Sequence, residues 1–314
     1  MSETLARLAA IRKLALPLVV LACVVMLLSV YLRLEYAGLG CADWPTCYGQ
    51  LLTEGPRPHT GIVRMLHRLT ASLALVLTIV IVWKSLRPRV LQPVARNAGL
   101  LLMLMLFLSV IGILSADPHR VAVSFLNILG GLGLVSFSWR VLRAADTPAL
   151  ANSPPRRDIL LHLGLATLTT SILLGALIGA RYAAITCTTL PDCSGTWWPA
   201  AAGWTALDPF VRLATAPVAG DAGGVALHLL HRYFALATLL LLGSAGLRAL
   251  QRQATRTAAR VLLLLLTLAV SLGILSVASG FNLWLTVAHS ASAASLLAAI
   301  VQLQLALRSQ SGGH

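Results

Sequence analysis

The sequence predicts an all-α integral membrane protein with eight transmembrane helices arranged as two pseudo-symmetric four-helix bundles. Three observations carry this. Of 314 residues, 58% are hydrophobic and 11% charged, too few polar groups to cover a soluble surface. The apolar runs repeatedly reach the ~20 residues that cross a bilayer. A set of landmarks also occurs twice along the chain, which marks an internal duplication. The net charge of +14 does not indicate a nucleic-acid partner, because the basic residues sit in loops on alternate sides of the apolar runs. The expected partner for such a distribution is the lipid bilayer.

The first run, Leu14–Leu32, follows Arg12 and Lys13 and has no small-residue cleavage site, so it is expected to stay as a helix. Next come Ile62–Trp83, Ala98–Ser115 and Val121–Leu142, which complete a first unit over residues 1–146. The polar stretch AADTPALANSPPRRD supplies a linker, residues 147–157. Runs Ile159–Ala180, Val225–Leu247, Val261–Ser279 and Asn282–Leu307 form the second unit, residues 158–314. Short connections make neighbouring helices antiparallel. Both termini then fall on the side that collects Lys84, Arg96, Arg140, Arg157, Arg248 and Arg260. The positive-inside rule makes that side cytoplasmic.

The opposite, periplasmic or extracellular side carries two long loops with four of the five cysteines. Cys41 and Cys47 lie in GLGCADWPTCYG, and Cys187 and Cys193 in TCTTLPDCSG. Both pairs share one spacing, and an oxidising compartment favours a disulfide in each loop over free thiols. Cys23, mid-helix, is expected only to pack. After each cysteine loop a helix opens with Gly, then His-Arg, then Ala: GIVRMLHRLTA in the first unit and GVALHLLHRYFA in the second.

An imidazole inside a membrane is costly and tends to mark function. His231 lies about six residues, or ~9 Å, inside the sixth run, and His289 about seven residues, or ~10 Å, inside the eighth. Alone, either histidine would more often bond a neighbouring helix. Two at one depth on helices entering from the same side suit a metal centre, and haem iron takes two axial imidazoles in this way. Arg232 can turn to a haem propionate or to the outer interface, with a structural ion pair as the alternative. His228, one turn nearer the surface, fits a propionate or water contact better than ligation.

GLGCADWPTCYG followed by LHRLTA, and CTTLPDCSGTWWP followed by LHRYFA and AHSASAASL, resemble the bacterial haem A synthase family of the CtaA type. The resemblance covers essentially the whole chain. It implies a b-type haem held by His231 and His289 in the second unit; Arg232, His228 and, in the first unit's His-Arg motif, Arg68 are further cofactor-binding candidates by their position. It also implies that the first unit holds the substrate, haem O, whose C8 methyl is oxidised through an alcohol to a formyl group, giving haem A for cytochrome oxidase. The Cys41–Cys47 pair forms a disulfide in many members. Partners implied are a haem O synthase and an electron-transfer protein, with a homo-oligomer as a further option.

Two positions depart from the family pattern. Where a second histidine usually stands in the first unit, FLNILGGLG places Asn127, about six residues inside its run, like His67 in its own. Three residues before His67, where the family commonly has Glu, this chain has Arg64, which cannot serve as a general base at neutral pH. The candidate catalytic set is therefore His67, Arg64 and Asn127. In one reading His67 alone holds the substrate iron and leaves one face open. In the other the site has decayed and the protein binds haem in oxidase assembly without making haem A. His119, at the outer mouth of the fourth run, is expected to be an interfacial loop residue; His59 and His162 carry no expectation.

Two other classes remain. An electron-transfer cytochrome b stacks its haems across the membrane, whereas both candidate sites here lie near one face. A repeat-built transporter would show a helix broken at the midplane, and neither unit does.

Overall fold

The computed structural model describes residues 2–39, 61–115, 117–146 and 158–308. Cys41, Cys47 and His59 lie outside the described residues. Among these there are eight helices long and apolar enough to cross a membrane: α1 Ser2–Ala37, α2 Gly61–Leu86, α3 Val94–Leu114, α4 Val121–Asp146, α5 Ile159–Ala180, α6 Ala222–Leu250, α7 Arg256–Ala278 and α8 Leu283–Arg308. No strand occurs among the described residues.

Helix starts follow local capping chemistry. Asp158 accepts the Leu161 N–H at 3.2 Å at the head of α5, Asp221 accepts the Gly224 N–H at 2.8 Å before α6, and Asn282 Oδ1 accepts the Trp284 N–H at 3.0 Å before α8. Each satisfies a backbone donor that the helix itself leaves unpaired. The Asp221 cap starts α6 at Ala222, earlier than its apolar run suggests. His231 therefore lies roughly nine residues, ~13 Å, from its helix start, and His289 about six, ~9 Å. Counting from helix starts no longer matches the two histidines, because Asp221 caps α6 a turn earlier than its apolar run begins.

In the first four helices, α1 packs on α2 and α4, and α3 packs on α2 and α4. In the last four, α5 packs on α6, α6 on α7 and α7 on α8, while α5 and α8 barely touch. The two groups meet through α1 on α8 and α4 on α5 and α8. Tyr31 of α1 stacks on Trp284 of α8 with ring centroids 5.7 Å apart. Small residues let helices approach closely: a side chain at Gly133 would run into Leu104 of α3, and one at Gly246 into Leu263 of α7. One large apolar cluster runs through α1 to α4 and takes in the outer part of α8. A second fills the half of α5 to α8 nearer the chain termini.

The connection between α5 and α6 is itself structured. It contains 3-10 turns at Ala184–Thr186 and Ala201–Leu207 and the expected disulfide Cys187–Cys193, with Cα atoms 5.2 Å apart. It also reaches the first four helices. Leu213 donates its N–H to His119 O at 3.0 Å, and His119 Nδ1 donates to Leu213 O at 2.6 Å. Asp117 meets Arg120 at 3.0 Å and Arg212 at 2.9 Å. His119 is thus a loop residue that straps the head of α4 to the long loop, and His162 bonds only the Asp158 carbonyl one turn back. Cys23 is half-buried in α1 with a free thiol.

Candidate functional site

His231 of α6 and His289 of α8 face each other, ring centroids 6.3 Å apart and planes at 87°. Each ring is fixed in the same way by the preceding helix. His231 Nδ1 donates to the Ser171 carbonyl at 2.8 Å and lies 3.2 Å from the Ser171 hydroxyl. His289 Nδ1 donates to the Ala269 carbonyl at 3.0 Å. A glycine one turn further along each supporting helix makes room for the ring: a Cβ on Gly175 would lie 3.1 Å from His231 Cε1, and one on Gly273 would lie 3.1 Å from His289 Cε1. With Nδ1 engaged, Nε2 is the nitrogen each ring offers to a ligand, and a backbone partner on the other nitrogen is how metal-bound imidazoles are oriented. Two imidazoles on opposite sides of one metal, each bonded at about 2 Å, have centroids roughly 6 Å apart. The pair fits a bis-imidazole haem iron.

Arg232 lies beside this pair, on the side of the cysteine loop. One guanidinium nitrogen donates to the Asp192 carbonyl at 2.6 Å and to the Pro191 carbonyl at 3.2 Å. The other, Nη2, is buried with no hydrogen-bond partner among the described residues. A buried unpaired guanidinium nitrogen is costly and suits an acidic group such as a haem propionate. Next to it, Tyr233 donates its hydroxyl to the Trp197 carbonyl, so α6 holds the loop at two successive residues. His228 is buried, donates Nε2 to the Ala183 carbonyl at 2.9 Å and packs near Phe281 at 5.9 Å. Its ring ties α6 to the segment after α5, and one nitrogen is thereby committed to backbone.

In the first four helices the candidate residues lie on interior stripes. On α2, His67 shares a face with Ala74, Thr78, Ile81 and Ser85, spaced by seven, four, three and four. On α4, Asn127 shares a face with Leu134, Ser138, Val141 and Ala145 at the same spacings. All eight stripe partners are buried, while His67 and Asn127 are only half-buried. Helices α2 and α4 do not pack on each other; α1 and α3 separate them. Among the described residues Arg64 takes no anionic partner: its guanidinium lies 6.0 Å from the centre of the Tyr36 ring at the end of α1. Arg68 is exposed.

The sequence reading missed the residues that fix the rings. Ser171 and Ala269 act through backbone carbonyls, which carry no sequence signature. Gly175 and Gly273 were visible as small residues, and Gly273 opens a tetrapeptide, Gly-Ile-Leu-Ser, that recurs at Gly112 on α3. Tyr36 was also missed.

The fold and site define a class: an eight-helix membrane protein whose second group of helices presents paired imidazoles suited to haem. Residues 64–301 match the family model COX15-CtaA, described as cytochrome oxidase assembly protein, and the chain belongs to that family. It is also 28% identical over 300 residues to the heme A synthase of Shewanella oneidensis, covering 88% of this chain and 90% of that protein.

Proposed function

We propose that the protein is a haem A synthase that oxidises the C8 methyl of haem O to a formyl group, with a resident b haem held by His231 and His289. The observation that carries the reading is the imidazole pair itself, two rings 6.3 Å apart, each oriented through Nδ1 by a backbone carbonyl. The likeness to the Shewanella oneidensis heme A synthase supports haem A synthesis as the activity, and the methyl oxidation is what the sequence resemblance implies. Arg232 would meet a propionate of the resident haem through Nη2, and the loop carbonyls on Nη1 hold it there. A bound haem supplies one-electron redox chemistry at its iron. The chain's part is to orient both histidines, exclude water from the pair and seat the substrate.

In this reading the first four helices form the substrate unit and the last four the cofactor unit. His67 would be the only side chain on the substrate iron, with Asn127 across the bundle too weak a ligand to close the other face. Arg64, set against Tyr36, would steer a propionate rather than exchange protons. The cysteine loops would lie on the periplasmic side, following the basic residues at the opposite end. An electron-transfer partner and a haem O synthase would meet the protein there or within the bilayer.

The test is to purify the protein from cells that also make haem O synthase, extract the pigments and identify them by mass. Haem A that disappears after His67→Ala is the expected result. Haem b alone, with no haem A from the parent, would instead support the second reading, a haem-binding assembly factor with a decayed substrate unit. The departures at Arg64 and Asn127 are what favour that alternative.

A further inference from the structure

The loop between α5 and α6 carries aromatic rings that are fixed in place and yet exposed. Trp198 stacks on Tyr233 of α6 with ring centroids 6.3 Å apart and planes at 25°, and it meets Trp204 edge-on at 6.4 Å. The Trp197 carbonyl accepts the Tyr233 hydroxyl. The 3-10 turn that carries Trp204 is pressed on the first turn of α6: a Cβ on Gly203 would lie 2.5 Å from the Ala222 carbonyl oxygen. Despite these contacts Trp197, Trp198 and Trp204 are all exposed. From Cys193 to Leu207 the sequence has no charged residue. A rigid, uncharged surface with three exposed indoles marks an interaction site.

The position of the rings along α6 says what they meet. Leu236, Leu240 and Leu247 follow Tyr233 on one helical face at spacings of three, four and seven, and all three leucines are exposed. On a helix that crosses a bilayer such a stripe faces lipid. Helix α6 packs on α5 and α7, whereas the first four helices meet the second group through α5 and α8, so α6 lies on the side of its bundle away from them. Counting the ~20 residues of a hydrocarbon core outward from Arg248, the first charge at the other end of α6, reaches His228. Tyr233 falls inside that limit. The rings stacked on it continue the leucine stripe into the boundary between acyl chains and headgroups. Indole, an apolar ring with one polar N–H, is a preferred side chain there.

We propose that Trp197, Trp198 and Trp204 anchor the α5–α6 loop in the bilayer, at the headgroup boundary of the leaflet on the cysteine-loop side. The same loop supplies the Pro191 and Asp192 carbonyls that hold Arg232, so the anchor makes that clamp beside the imidazole pair dependent on lipid. The anchor itself needs only the membrane and stands apart from the substrate and from haem A synthesis. The clamp rests on the proposed resident haem.

The experiment uses the full-length protein in nanodiscs containing a phospholipid with a diazirine near the headgroup end of one acyl chain. Photolysis and mass spectrometry map the lipid adducts, and hydroxyl-radical footprinting of the same discs reports exposure to water. Adducts on residues 197–204 as well as on Leu236 and Leu240, with the three tryptophans protected from the radical, are the expected result. Adducts on α6 alone, with the tryptophans oxidised, would overturn the anchor and leave the surface to a soluble partner. The parent decides this point by itself. Trp197→Asp should cut the loop's adducts roughly fivefold and leave those on α6 unchanged, while Trp197→Tyr, which keeps an interfacial ring, should label like the parent. Equal loss of adducts in both variants would overturn the interfacial role of the Trp197 ring. The resident haem should dissociate faster, about threefold, from Trp197→Asp than from Trp197→Tyr. Equal haem retention, in a Trp197→Asp protein whose loop has lost its adducts, would overturn the clamp alone. A parent without a six-coordinate haem would count against the proposed cofactor site and leave the labelling result standing.

Discussion

Helices α2 and α6 open on related sequences, GIVRMLHR and GVALHLLHR, yet they are packed differently. In α6 six successive residues, Gly224 to Leu229, are buried, because the α5–α6 loop folds back on them and Gly224 gives Thr186 room to press against its backbone. In α2 no residue before Ala74 is buried, and nothing described lies within 4 Å of the Cβ position at Gly61. The residue three before each histidine follows the same division. His228 is sealed against the Ala183 carbonyl, while Arg64 sits over the Tyr36 ring with its face exposed. Two related helix starts thus differ in how the described residues cover them, α6 under its own loop and α2 exposed up to Ala74.

The sharpest way to break this comparison is to remove an imidazole from the pair that α6 and α8 form. His289→Ala or His231→Ala should abolish the six-coordinate low-spin signal of the resident haem altogether, read by absorbance and electron paramagnetic resonance. Survival of an unchanged signal in both variants would end the assignment. The reciprocal change makes the first unit resemble the second. Asn127→His should bring a second imidazole to the substrate iron, turn that haem six-coordinate and low-spin, and lower turnover roughly tenfold or more. A gain of haem A over an inactive parent would instead mean that Asn127 marks decay rather than an open face.

The reading from sequence alone reached the eight spans, the Cys187–Cys193 disulfide and the closeness of His231 to His289. Those rest on hydropathy, on repeated spacing and on resemblance, all of which are written in residue types. His231 and His289 do lie ring to ring, but equal depth from their helix starts is not the cause. Asp221 starts α6 early, so the rings meet because α6 and α8 face each other across the bundle, not because their helix starts align. The ring supports at Ser171 and Ala269 were invisible because carbonyl oxygens belong to every residue. His228 shows the limit from the other side: its position in the motif suggested a cofactor contact, and only the fold reveals the carbonyl that takes its Nε2 proton.

A milder perturbation tests what holds the loop on α6. Arg232→Lys retains charge but loses the planar fork that holds the Pro191 and Asp192 carbonyls. The resident haem should remain six-coordinate but dissociate about tenfold faster, whereas Arg68→Lys, exposed on α2, should leave that haem untouched. Opening the loop from its own side is smaller still. Replacing Cys187 and Cys193 together by Ser should lower unfolding stability by about 2 kcal/mol for so short a loop, measured in denaturant with the haem signal as a separate readout.

The smallest expected effect concerns the strap between the two groups of helices. Partial desolvation raises the Asp117 carboxyl, but the His119 backbone N–H and the Arg120 and Arg212 guanidiniums outweigh it, so the net shift is downward from the ordinary value of 3.8. A carboxylate whose value is lowered by folding contributes stability above its unfolded value, and the contribution disappears as pH falls through the lower folded value. The strap should therefore be fully formed at pH 5 and above and weaken progressively below about pH 4. Because Asp117 is only half-buried and both arginine partners are exposed, the effect on thermal stability is small and screened by salt. Asp117→Asn should flatten the part of the acid limb that Asp117 supplies, moving the melting temperature toward the low-pH value without altering the resident haem. If the strap instead sets the position of α4, the same variant will also slow substrate uptake at pH 7, because the head of α4 carries Asn127.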